Sequence, residues 1–191
     1  MVLKKILHDR VENERSFVLS EDIENEVAGE IIRWIYSINQ EDQERENEVV
    51  NFKRKPIELL INTFGGSVYD TFAIVNAITS SKTPVITTCI GSAMSGGLYI
   101  LASGHIRLAC TYSNFMYHEC SSGMVFTYRN KLVEKLDEIH RMQDMLENFL
   151  CSKTKLNKRT LQKHNNKRSE WYFGSEEALQ WKIIDGIYTQ S

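Results

Sequence analysis

The chain has 191 residues, 42% hydrophobic and 25% charged, enough for one domain around a substantial core. Its 23 basic and 25 acidic residues leave a formal charge of −2, a balance that draws it to neither nucleic acid nor membrane. Four scattered cysteines (Cys89, Cys110, Cys120, Cys151) without a CxxC pair argue against a zinc site or a disulfide framework.

No apolar run reaches transmembrane length, and Met1 to Arg10 becomes charged too soon for a signal peptide, so a cytoplasmic location is expected. After a short N-terminal segment, 1–14, the residues Ile23, Val27, Ile31, Trp34 and Ile38 fall at helical spacing and predict an amphipathic helix. The charged run 39–55, acids first and Lys53-Arg54-Lys55 last, reads as a solvated loop. Beyond Pro56, Ile57 to Asn62 has the length and branched residues of a strand. Gly65-Gly66 break it, and Ser67 with Asp70 three residues on reads as an N-cap with its reciprocal carboxylate. That helix runs through Phe72, Val75 and Ile78 until Pro84 resets the chain.

Val85 to Ile90 is a second strand, and the small residues 91–97 read as a turn into a short helix over 98–102. Residues 106–109 and 115–118 look like two more strands. This alternation predicts a crossover-connected α/β sheet. From Tyr128 to Cys151, the residues Leu132, Leu136, Ile139, Met142, Leu146 and Leu150 recur every three or four positions with no Gly or Pro between, which predicts a long helix over 128–152. The basic stretch 153–168 has room for a short helix near 159–164. Ser175-Glu176-Glu177 cap another, and 183–188 reads as a terminal strand. All of 1–191 is taken as a single domain.

Three segments could carry chemistry. Gly91-Ser92-Ala93-Met94-Ser95-Gly96-Gly97 lies between strand and helix, where a hydroxyl sits over amide donors and the positive helix end; the plainer reading is a tight turn with capping serines. Asn62-Thr63-Phe64-Gly65-Gly66 is a similar turn one unit earlier, and paired glycines can aim adjacent N–H groups at one oxygen. In Phe115-Met116-Tyr117-His118-Glu119, strand alternation faces His118 away from Glu119, which is therefore badly placed to orient it. Cys120 shares the His118 face, so a Cys–His pair is a rival arrangement, though two neighbours on one strand leave little approach for a substrate.

In this order the three segments resemble the Clp protease proteolytic subunit (ClpP) family. Ile61 to Gly66 is similar to its INSPGG segment, Gly91 to Gly97 to its G-x-A-x-S-M-G nucleophile turn, and Met116-Tyr117-His118-Glu119 to its M-I-H-Q strand. The likeness runs from about Arg15 to Tyr188. It implies the ClpP/crotonase-like fold, with repeated β-α units and the long helix as a projecting handle. It also implies a serine endopeptidase in which Ser95 attacks, His118 takes the proton, and the N–H groups of Gly66 and Gly96 hold the oxyanion. Counting back from Glu177 and Asp185 sets Glu170 at the family's third, acidic position, where an aspartate is usual. The family pattern further implies peptide-bond hydrolysis that uses no ATP and no cofactor or metal. Heptameric rings stacked in pairs would degrade unfolded polypeptides, with an AAA+ unfoldase as a partner that the short segment before Arg15 leaves in question. Phe64 and Cys120 stand where the family has prolines, so the substrate groove is expected to differ there. Two other readings stay open: a crotonase-like acyl-CoA enzyme, which normally has glycine where Ser95 stands, and a ring subunit that assembles without cleaving.

Overall fold

The structure, a computed structural model, describes residues 15–120, 129–167 and 170–188; the segment 1–14 and the first residue of the 128–152 helix lie outside these. Thirteen elements follow one another: β1 (Ser16–Leu19), α1 (Asn25–Glu48), β2 (Ile57–Thr63), α2 (Val68–Ser80), β3 (Val85–Met94), α3 (Gly96–Ser103), β4 (Ile106–Cys110), β5 (Asn114–Tyr117), α4 (Arg129–Lys153), α5 (Lys158–Asn165), β6 (Trp171–Gly174), α6 (Ser175–Gln180) and β7 (Gly186–Tyr188). This is the α/β architecture that the alternating pattern predicts.

The main path of the seven-stranded sheet runs β1-β2-β3-β4-β7, with every neighbour parallel. Such strands are covered on both faces and become nearly continuous apolar runs, as in Ile57-Glu58-Leu59-Leu60-Ile61, of which all but Glu58 are buried. β3 is longer than its neighbours and serves two of them. Its first half pairs with β4 (Ile86↔Ile106 to Cys89↔Ala109), and its end pairs in parallel with β5 (Ser92↔Asn114 to Met94↔Met116). β5 in turn carries β6 antiparallel, forming a two-stranded annex at the end of the sheet. The apolar core joins the faces of α1, α2 and α3 to the sheet and reaches α4 through Leu146 and Leu150.

Several boundaries differ from the sequence reading. The expected loop 39–55 is a helix as far as Glu48. Its Glu, Gln and Arg residues favour helix, and while most of its charges are exposed, two are paired. Asp42, 1% exposed, accepts from Arg15 at 3.0 and 2.8 Å and from Thr83 at 2.7 Å, while Arg54 clasps Glu46 at 2.7 Å. The segment read as a turn over 91–97 continues β3 to Met94, so the chain reverses at Ser95 alone. Ser67 does cap α2, accepting from Asp70 N at 3.3 Å. The closing strand shrinks to 186–188, because Ile183 N and Ile184 N donate to Ala178 O in the turn after α6 instead of joining the sheet. β1 and β6, four residues each, are additions to the sequence reading.

Candidate active site

Ser95 follows β3 and precedes α3 with φ 48° and ψ −120°, a conformation that costs a non-glycine residue about 1–3 kcal/mol. It is held there from both sides. Its own N–H donates to Met116 O at 2.9 Å, and its carbonyl accepts from Leu98 N at 3.0 Å. The first of these bonds joins the end of β3 to the end of β5, so the residue two past Met116 arrives beside the serine. That residue is His118, whose Nε2 lies 2.8 Å from Ser95 Oγ. The two side chains, 23 positions apart in the chain, become neighbours where two parallel strands end together.

The Gly65-Gly66 turn closes the opposite wall. Gly65 has φ 110°, and a Cβ there would meet Ser95 Cβ at 2.7 Å, so only glycine lets Ser95 approach this closely. Gly66 bridges Ile23 in parallel, and a Cβ on it would stand 2.2 Å from Ile23 O. The Ile23 bridge uses Gly65 O and Ser67 N, which leaves the Gly66 N–H on the other side. The Gly66 nitrogen lies 3.6 Å from the point that a Cβ on Gly96 would occupy. Neither the Gly66 nor the Gly96 N–H donates to another group among the described residues, and both glycines line the same cleft as Ser95 and His118. Two unspent amides beside a hydroxyl–imidazole pair can stabilise negative charge on an oxygen bonded to that hydroxyl's carbon partner.

Glu170 immediately precedes β6. The β5–β6 register pairs Tyr117 with Trp171, and continuing it by one rung brings Glu170 opposite His118. Its carboxylate accepts from the Tyr172 hydroxyl at 2.5 Å, and it makes no hydrogen bond to His118 among the described residues. Glu119 is exposed and makes no hydrogen bond to His118 either. Cys120 lines the cleft, but its thiol is pushed up by burial, with the charge of Glu119 adding, while the imidazole engages Ser95.

The cleft is narrow, about 50 Å³, and Val68, Thr71, Tyr99, Cys120 and Leu146 form the rest of its wall. Cys120 aside, these residues read in sequence only as helix core, and nothing in their spacing separates a cavity wall from ordinary packing. A further clamp was hidden in the same way. Gln143 Oε1 accepts from Cys120 N at 2.8 Å, and its Nε2 reaches Tyr117 OH at 3.2 Å and Glu147 Oε1 at 3.0 Å. Asn165 Nδ2 completes the network on Glu147 at 2.8 Å. Burial, with the nearby Glu147 charge, pushes the Tyr117 phenol up to about 12, despite hydrogen bonds that favour its ionised form. The histidine-bearing segment is thereby fastened to α4 and α5. Phe64, in contrast, is 71% exposed at the rim of the glycine turn.

Among the described residues no group of His, Cys, Asp and Glu side chains could hold a metal ion, and no helix is long and apolar enough to cross a membrane. Comparison with known proteins identifies the family of the chain. The chain is 28% identical over 183 residues to an ATP-dependent Clp protease proteolytic subunit 3 of Synechococcus sp. (strain CC9902), covering 95% of this chain and 86% of that protein. It is 27% identical over 185 residues to a proteolytic subunit 2 of Prochlorococcus marinus (strain MIT 9312), covering 96% and 85%. The family model described as Clp protease matches residues 4–191, and the chain belongs to that family.

Proposed function

We propose that the chain is a serine endopeptidase in which Ser95 attacks the peptide carbonyl and His118 acts first as base, then as acid. The observation that carries this is the 2.8 Å contact between Ser95 Oγ and His118 Nε2. Membership of the Clp protease family supports proteolysis of the serine type. In the proposed cycle the imidazole removes the hydroxyl proton as the Oγ–carbon bond forms, and the carbonyl oxygen takes up negative charge against the N–H groups of Gly66 and Gly96. The imidazolium then returns its proton to the departing amine, leaving an acyl-enzyme that water hydrolyses by the same steps. Glu170, one rung across from His118, is the proposed acid that orients the ring and stabilises its charged form. It does so once its carboxylate turns from Tyr172 to Nδ1.

The substrate side chain that precedes the scissile bond enters the cleft walled by Val68, Tyr99 and Leu146. We assign unfolded polypeptides as substrates and heptameric rings stacked in pairs as the working form, by analogy with the family. An AAA+ unfoldase is the partner this assembly would serve, since the relatives carry ATP-dependent in their names. The crotonase-like reading loses its support, because a strained serine hydrogen-bonded to histidine has no part in polarising a thioester. A subunit that assembles without cleaving is countered by the same pair.

The test compares cleavage of a fluorogenic peptide by wild type and Ser95→Ala, together with labelling by an irreversible serine-reactive probe. Cleavage is expected to fall by at least on the order of a thousandfold, and labelling to vanish. Equal rates in the two proteins would remove Ser95 from the mechanism.

A further inference from the structure

We infer that Gln143, on α4, is a positioning residue for His118: one side-chain amide holds the chain on both sides of the proposed base and so sets its distance from Ser95, a role that rests on the peptidase reading above. The ladder stops short of the histidine. β5 pairs with β3 as far as Met116 and with β6 as far as Tyr117. Among the described residues the imidazole makes no hydrogen bond besides the 2.8 Å contact with Ser95 Oγ. Past Tyr117 the strand is held by other means.

Gln143 supplies them. Its Oε1 accepts from Cys120 N, two residues after His118, at 2.8 Å, and its Nε2 donates to the hydroxyl of Tyr117, one residue before it, at 3.2 Å. Nε2 also donates to Glu147 Oε1 at 3.0 Å. These partners agree on a single orientation of the amide. A backbone N–H only donates and a carboxylate oxygen accepts, so the amide oxygen faces Cys120 and the nitrogen faces Glu147. Asn165 Nδ2 anchors the same Glu147 oxygen at 2.8 Å, and Glu147 and Tyr117 are buried, 4% and 1% exposed. Polar groups bonded this far from water are costly to unpair, which locks the amide in place.

The hold matters because the proton transfer proposed for His118 needs the imidazole within hydrogen-bond reach of Ser95 Oγ. A reacting group displaced by about 1 Å can lose about a hundredfold in rate. Fixed points at Tyr117 and Cys120 leave His118 little room to swing, and one α4 side chain sets both. In the sequence Gln143 falls off the apolar stripe of α4, where a solvent-facing glutamine would serve the helix equally well. Here it turns inward, and its three bonds go to the segment that carries the base and to the carboxylate that braces the amide.

The experiment compares wild type, Gln143→Met, Tyr117→Phe and Ser95→Ala in cleavage of a fluorogenic peptide and in labelling of Ser95 by a phosphonate probe, followed in time to its end point. Methionine keeps the length and helix preference of glutamine but bonds neither Cys120 N nor Tyr117. Gln143→Met is expected to lower kcat by about ten- to a hundredfold, with KM changed by no more than about twofold. Its labelling is expected to slow in parallel yet reach the wild-type end point, as a full complement of folded but poorly aligned sites requires. Unchanged kcat, a loss confined to KM, or labelling at the wild-type rate to a lower end point would overturn the inference while leaving the peptidase intact. Should Gln143→Met fail to fold, Tyr117→Phe decides, since it keeps the buried ring and removes one arm of the hold. A fall in kcat of about threefold at unchanged KM then supports the inference, and wild-type kinetics overturn it. Cleavage undiminished in Ser95→Ala, or wild type that neither cleaves nor is labelled, would instead overturn the peptidase reading and this one with it.

Discussion

Glu170 shows how much one side-chain rotation can matter. Its backbone lies one rung beyond the last β5–β6 pair, Tyr117 with Trp171, yet its carboxylate is bound to the Tyr172 hydroxyl at 2.5 Å. A glutamate has one more rotatable bond than the usual aspartate, so it can exchange partners without moving the strand. If it orients the imidazole, Glu170→Gln should lower kcat by roughly a hundred- to ten-thousandfold while leaving the fold intact. Steady-state kinetics beside a circular-dichroism spectrum would check this, and an unchanged kcat would return Glu170 to the role of a surface residue. Ser95 and His118 were legible in the sequence because small residues and a strand-end histidine follow one another in a family order. Glu170 was legible only by counting, since the register that pairs it with His118 runs through β6. The tyrosine that now occupies it was not legible at all.

Single elements set these distances, and some are held by few groups. β7 is three residues long, and its approach to β4 is fixed by Arg107 and Asp185. Arg107 donates to Asp185 through Nη2 at 2.6 Å, Nε at 3.0 Å and its backbone N at 3.0 Å. The Arg107 hydrogen bonds hold the Asp185 carboxyl below its ordinary value of 3.8, against the opposing effect of burial. A depressed carboxylate contributes stability above its ordinary value and loses that contribution as pH falls through the depressed one. Thermal melts between pH 5 and pH 3 should therefore drop more steeply for wild type than for Asp185→Asn; parallel slopes would show that the pair does not matter. Element existence was largely readable from periodicity, as with α4, whose apolar residues recur without a breaker. Element ends were not. The run 39–48 looked solvated because its partners, Arg15, Arg54 and Thr83, come from elsewhere in the chain. β6 was too short to show a period, and its Trp171 and Phe173 declare themselves only by stacking on His164 and Phe115 at 4.5 and 5.4 Å.

At the scale of the whole molecule, α4 leaves Leu132, Val133 and Leu136 between 39% and 53% exposed on one stretch of helix. Apolar side chains grouped in this way fit a face that a second copy of the chain covers, as the proposed ring assembly requires. Leu136→Glu is expected to lower the mass measured by light scattering while helicity is retained; a mass unchanged from wild type would place the contact elsewhere. The length of β3 has a wider consequence. Its first half is locked between β2 and β4, and Ser95, the proposed nucleophile, follows its last residue. The proposed base and acid, His118 and Glu170, hang on the β5–β6 annex, joined to that foundation by the short Ser92–Met94 seam, the Ser95 N–Met116 O bond and the Gln143 clasp from α4. A tilt of the annex would part imidazole from hydroxyl while the central sheet stayed as it was. Pressure on α4 would thus reach the imidazole through the Gln143 clasp and the hydroxyl through the packing of Phe149 on Tyr99 of α3, two routes of different stiffness.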